Sequence, residues 1–599
     1  MSQVTSLLFS QTSISLDPRT SYHVTYEIIF ARGETVACVT AGRLAATDPS
    51  LKILLLEVAK HVQPGRYFSN LAMTGQDLFT FHVGKPREAL NGRSAIVPTG
   101  RCVGGGSSVN FVMYTRAAAP DHDDWEKQGD PGWGSQDLIP LSNKAETFQV
   151  GDFPNHGTSG PIKISSEGIA TNVSQDLLEV ATMYDKERGF VKDTNDFAIC
   201  NAYAPWFKYI DAVLGKRSDA AHPRVIRVIF NGNRAVGVEY TGNEVGRDRG
   251  MASVHNVIAD HLVILSAGAF GSPVILERSG IGSKELLQKL DIPVLVDLPG
   301  VGENDNDHNL VFSGYYCSSD ADTIDDIFRG TTRRLNVSYL TQWLNGGKGT
   351  MAHNGIDGGI KLRPNTKDLK EIGPTFKKRW EDFYLKSPDK PVMWAGILSA
   401  YTGMDPNVPR GKYFSIAYYT EYPISTGRVH IKAAQDPYAP PDFEPGFLNE
   451  AADLHVLRWT YKHMREIARR MKLYRGEIPS HHPHFPIGSA ATTGKRIGPD
   501  AMNSVPIAYT DEDNKAIDDF HRRTVETTWH SLGACAMKPR ERNGVVDSNL
   551  NVYGVQDLKV ADLSIVRYST LVQIHNTALV IGEKAAVIVA RELSIKGVN

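Results

Sequence analysis

Between Tyr26 and Glu57 the chain reads strand, turn, helix, strand, and that unit narrows the fold more than any other stretch. Tyr26-Glu-Ile-Ile-Phe30 is a short apolar run, and a Gly-containing turn follows it. Cys38 to Leu44 starts a helix, and Lys52-Ile-Leu-Leu-Leu-Glu57 is a second apolar strand that ends in an acid. A βαβ unit of about 30 residues with a terminal acid is the shape that binds nucleotides.

The same architecture returns further along. His261-Leu-Val-Ile-Leu-Ser266 is a fully apolar strand, and Val274–Arg278 reads as the helix after it. Leu558-Lys-Val-Ala-Asp562 is another strand, and Thr577–Leu593 is a closing helix. Residues 321–520 differ, being rich in Tyr, Trp, Pro and charge. Alternating strands such as Arg428–Lys432 sit there among helices such as Ala452–Met471, and Asp436–Asp442 is a Pro-rich loop. This predicts an α+β unit inserted into an α/β one. At 599 residues the chain exceeds what one core supports.

Lys+Arg 65 against Asp+Glu 67 gives a net charge of −2, which supplies no electrostatic reason for a nucleic acid or anionic membrane partner. Five scattered cysteines without a C-x-x-C pair argue against a disulfide framework or a zinc site and for a reducing compartment. His481, His482 and His484 lie among prolines with no carboxylate or Cys to complete a set, so no metal is expected. The first twenty residues do not read as a signal peptide, and no apolar run reaches membrane-spanning length. The C-terminal Lys596–Asn599 is not a Ser-Lys-Leu address. The expectation is a cytoplasmic or peroxisomal protein.

Four separated blocks carry a family resemblance. They are Gly100–Asn110 with Phe111–Arg116, then Gly268–Pro273 with Ser279–Gly282, then Leu298–Asn304 with Asp307-His308, and Thr527–Gly533. Together they resemble the glucose–methanol–choline (GMC) oxidoreductases. His353–Ile356, Glu421–Pro423 and Ser480–Pro483 are most similar to the family's alcohol (methanol) oxidases. The resemblance spans about Tyr26 to Glu592.

It implies a Rossmann-like FAD-binding domain (22–165, 218–320 and 525–599) with an inserted α+β substrate domain (166–217 and 321–524) that carries an antiparallel sheet. It implies FAD along Gly33, Glu57, Gly104, Gly105, Gly106, Ser107, Asn110 and Asp562. His530 would take the proton of an alcohol whose hydride goes to the flavin. Gln573 matches the position of a second group that holds the substrate hydroxyl. His575, two residues on, would be turned away by helix geometry. Glu583 and Lys584 read as a solvated or capping pair. A small primary alcohol and O2 are the implied substrates, and relatives form homo-oligomers. Two other readings are a flavin dehydrogenase with a different acceptor and a redox-inactive small-molecule binder in a natural-product pathway.

The chain departs from its family at the dinucleotide turn. The G-x-G-x-x-G positions read Arg32-Gly33-Glu34-Thr35-Val36-Ala37, so the only glycine stands at a variable place. Glu34 sets a carboxylate where the pyrophosphate should lie. Two unit charges ~4–5 Å apart at an effective dielectric near 20 repel by roughly 3–4 kcal/mol. Further departures are expected at Val58–His61, between His222 and Arg224, and at Ile565–Ser569.

Overall fold

The computed structural model describes residues 25–57, 78–102, 104–151, 153–166, 170–218, 227–241, 254–329, 333–403, 405–434, 436, 438–492, 498–567 and 574–598. Gln573, Val58–His61 and the His222–Arg224 junction lie outside them, as do Tyr568 and Ser569.

The first strand, Thr25–Ala31, is central. It pairs in parallel with Ile53–Leu56 on one side and with the end of Val254–Leu265 on the other. Leu558–Val560 adds to Val254–Leu265, again in parallel, and the antiparallel strands Arg227–Asn231 and Arg234–Thr241 complete six. Ile28, Ile29, Phe30, Val263, Ile264 and Leu265 are fully buried. Near-continuous apolar runs are what parallel strands covered on both faces require.

The helix Thr35–Thr47 leaves the first strand and packs on the closing helix, His575–Glu592. Gly582 lets them approach. A Cβ there would lie 2.6 Å from Val39 Cβ, and the Thr40 hydroxyl donates to the Gly582 carbonyl at 3.0 Å. Glu583 beside it is buried, not solvated, because Arg43 reaches it with Nε at 2.8 Å and Lys144 with Nζ at 3.6 Å.

The second sheet has seven strands. Its backbone runs Tyr474–Glu477, Asn309–Cys317, Tyr413–Thr420, Met393–Leu398, Ile356–Leu362 and Tyr203–Pro205, and Glu526–Thr527 pairs with the start of Asn309–Cys317. All these pairings are antiparallel. The helices Asn172–Tyr184 and Ala451–Ala468 cover one face with Leu177, Val180, Leu457 and Trp459. The other face looks toward the nucleotide-type sheet. The expected fold class is therefore the observed one.

Element boundaries shift by a few residues. The helix expected at Val274–Arg278 starts at Gly268, because Pro273 is accommodated inside it and does not delay its start. Among the described residues no helix is long and apolar enough to cross a membrane. His481 and His482 bond to Tyr401 and Tyr461.

Gly582→Leu would force the two helices apart. It is expected to lower unfolding free energy by about 1–3 kcal/mol or more, read from the urea midpoint. An unchanged midpoint would show that the interface has slack.

Candidate active site

A cavity of about 230 Å³ lies between the two sheets. Gly106, Ser107, Asn110, His530 and Asp562 line it, so five of the expected residues meet at one space. Gly33, Gly104, Gly105 and Glu57 form the layer behind.

The two glycine-rich turns are tied together. Gly104 N–H donates to the Gly33 carbonyl at 3.1 Å, and the Thr35 hydroxyl donates to the Gly104 carbonyl at 3.0 Å. Gly104 and Gly105 have φ of +87° and +55°, the left-handed region open to residues without Cβ. The turn's missing glycine leaves a trace, since Arg32 itself adopts φ +80°. An L side chain in that region costs roughly 1–2 kcal/mol. Glu57 Oε2 accepts from Gly33 N–H at 3.2 Å, and Asp562 Oδ2 accepts from Gly268 N–H at 2.9 Å and the Ser272 hydroxyl at 2.6 Å.

Arg217 is a residue that sequence reasoning missed. Its guanidinium donates to the Ser107 carbonyl at 2.8 Å and to Asn110 Oδ1 at 2.5 Å, which braces the turn along the cavity. Nothing in its sequence neighbourhood marks it.

His530 stands on a loop organised by Asp307. That buried carboxylate accepts from the Thr527 hydroxyl, from the Thr528 hydroxyl at 2.8 Å and from His530 N–H at 3.2 Å. Burial lifts the Asp307 carboxyl to about 6 although those donors pull it down. Trp529, between them, takes φ +62° and stands 38% exposed at the cavity rim. A bulky residue in that region is a backbone outlier of the kind found at functional sites.

The His530 Nδ1 lies 3.0 Å from His308 Nδ1. The His308 ring stacks on Tyr419 at 4.9 Å and 3°, Tyr419 on Trp394 at 5.1 Å and 11°, and Trp394 on Trp206 at 5.7 Å and 20°. A ladder of rings thus runs along the second sheet to the imidazole. Loss of solvent pushes His530 down to about 3, so the ring is neutral at ordinary pH.

His575 does not turn away. As the first residue of the closing helix its side chain leans back toward the N-terminus. It lines the cavity, with its ring 4.1 Å from Tyr209 and Nδ1 3.4 Å from Asn110 Nδ2. Burial pushes it down to about 3 as well.

An FAD of the kind the resemblance implies fits the wall of Gly106, Ser107 and Asn110, where bare backbone and an amide face open space. At the dinucleotide turn one side chain intrudes, that of Glu34. Its pKa is pushed up to about 8, chiefly by burial, against the opposing charge of Arg32. The repulsion expected from sequence belongs to the ionised carboxylate, which is the minor form below about pH 8.

The chain matches the family profile described as GMC oxidoreductase, with its N-terminal part over residues 26–198 and 218–310 and its C-terminal part over 423–582. It is 36% identical to the alcohol oxidases of Pichia angusta and Candida boidinii, in each case over 96% of both chains. Among solved structures, an FAD-dependent oxidoreductase from Chaetomium thermophilum superposes with a TM-score of 0.78 at 24% identity, covering 95% of this chain and 100% of that one.

Asp307→Ala removes the acceptor that holds the His530 loop. A displacement of about 1 Å costs on the order of a hundredfold in turnover, and that loss is the expected outcome in a steady-state assay. Full turnover would detach Asp307 from the site.

Proposed function

Because the chain belongs to the GMC oxidoreductase family, whose cofactor is FAD, we propose that it oxidises a primary alcohol to the aldehyde with O2 as acceptor. The observation that carries this is the imidazole of His530, which lines the cavity with Nδ1 3.0 Å from His308 Nδ1, on a loop whose backbone N–H is held by Asp307. FAD, when bound, supplies the hydride acceptor.

The residues of the chain do the rest. His530 takes the hydroxyl proton as the carbon gives up hydride, a task that needs an uncharged ring within reach of the substrate oxygen. His308 fixes the ring's orientation through the Nδ1 contact. His575 and Asn110 offer hydrogen-bonding groups on the same wall, and Gln573 keeps the assignment drawn from the resemblance. Gly106, Ser107 and Asn110 would lie along the flavin, with Asp562, Gly33 and Glu57 toward the nucleotide. The closed balance is alcohol plus O2 to aldehyde plus hydrogen peroxide.

The substrate wall is apolar and aromatic. On the second sheet Leu310, Tyr419 and Trp394 stand in one cross-strand row, and Phe312, Ala417 and Gly396 in the next. Phe111 and Trp529, 5.6 Å apart, add to it. This supports an alcohol with an apolar body over methanol, in contrast with the short-chain substrate that the resemblance alone suggests. Each buried methylene is worth about 0.8 kcal/mol.

Accordingly kcat/KM is expected to rise at least about tenfold from methanol to 1-hexanol or benzyl alcohol, following that increment. Peroxide should form mole for mole with aldehyde. A series that falls with chain length would refute the apolar reading, and quinone reduction without peroxide would favour the dehydrogenase. His530→Ala is expected to lose about 10²- to 10⁴-fold in turnover with the 450 nm absorbance per protein kept. Retained turnover would reject the assignment of the base.

A further inference from the structure

The side chain of Glu34 stands in the cavity wall, about a quarter exposed, with its carboxyl in a hollow bounded by two glycines. Gly105 and Gly268 both have positive φ, +55° and +72°. A Cβ on Gly268 would stand 2.6 Å from Glu34 Oε2 and 2.8 Å from Oε1. A Cβ on Gly105 would stand 3.1 Å from Glu34 Cγ. The side chain therefore fills the space these glycines leave.

That hollow has the makings of a phosphate cradle. It adjoins the N-terminus of the 13-residue helix Thr35–Thr47, at the first βα turn, where orphan N–H groups and the helix dipole favour anions. Arg32 stands at its rim, with Nη1 3.8 Å from Glu34 Oε1 and bonded to the Ala267 carbonyl at 3.3 Å. Glu34 caps no helical N–H with its side chain, so the helix does not account for its position.

We infer that Glu34 is a built-in competitor for the pyrophosphate of FAD, its carboxyl holding the cradle until it swings out or gives up its charge. This rests on FAD being the cofactor and is independent of which alcohol, if any, is oxidised.

The charged surroundings set the direction of the linkage. Arg32 faces Glu34 from its own turn. Asp562 faces it from the loop after Leu558–Val560, and Glu57 from the end of Ile53–Leu56. The Gly104–Ser107 ridge and the first turn of the helix Gly268–Arg278 bring backbone and no charge. Burial and the two carboxylates outweigh Arg32, and Glu34 is held up to about 8. Below that pH it is neutral and tolerates a dianionic neighbour. Above it, FAD binding must take up a proton, so affinity falls as pH rises.

The test is FAD titration of the deflavinated full-length chain, followed by quenching of flavin fluorescence at pH 6 and pH 9, with riboflavin as the phosphate-free probe. For the wild type, Kd for FAD is expected to be about tenfold weaker at pH 9, one proton's linkage across a pKa near 8. Riboflavin should show no such slope. Glu34→Gln keeps the size and removes the titration, so its FAD affinity should match at the two pH values. Glu34→Gly empties the hollow and should bind FAD at least about tenfold tighter than wild type at pH 9, again by removal of that linkage, with more flavin retained on purification.

A slope that persists in Glu34→Gln overturns the inference, as does unchanged affinity in Glu34→Gly. Alcohol turnover with FAD affinity indifferent to residue 34 defeats this inference alone. The expected FAD pattern with no alcohol oxidised defeats the proposed function alone.

Discussion

The site depends on the register of four parallel strand ends. Ala31 pairs with Leu56 on one side and with Leu265 on the other, and Leu265 pairs with Val560. The chain thus leaves the sheet at one level in four places. Everything placed just past those ends falls together: Arg32 and Glu34 after the first strand, Glu57 after the second, Gly268 after the third, Asp562 after the fourth. Ligands of open α/β sheets bind at that edge for the same reason. A one-residue slip in a strand would turn its side chains to the opposite face and dissolve the cluster.

This register also explains why three carboxyl groups crowd one corner. Asp562 and Glu57 are each accommodated by backbone N–H groups, at 2.9 Å from Gly268 and 3.2 Å from Gly33. Among the described residues, Glu34 has Arg32 at 3.8 Å and two bare glycines beside it. It is the carboxyl of the three that the fold leaves least well served, and the one that a family pattern of glycines would not contain.

Much of this was legible beforehand, and the limits have physical causes. Apolar runs and turn residues mark Thr25–Ala31, Ile53–Leu56 and the closing helix because their signals are local. The roles of Asp307 and Arg217 come from partners far along the chain: Thr527 is 220 residues from Asp307, and Asn110 is 107 from Arg217. Periodicity carries no such information. His575 was misplaced because its direction depends on where the helix begins, and boundaries are the least readable feature. Glu583 reads as solvated or capping because a charged residue on a helix usually is, whereas here Arg43 meets it from the first helix. The block around His530 marks it in the sequence, but the ring ladder behind it does not show there, since it needs Trp394 set opposite Tyr419 by strand pairing.

The contact at Gly582 joins residues 542 positions apart, since its carbonyl accepts from Thr40. The helix that opens the nucleotide unit therefore lacks its packing partner until the chain 542 residues further on has been made. Contacts of such long sequence separation close late, after their loop entropy has been met. The six-stranded sheet is thus finished after the antiparallel sheet whose strands lie between its own in sequence, and a nascent chain interrupted in its last helix would carry a nearly complete antiparallel sheet beside a first helix with nothing to pack on.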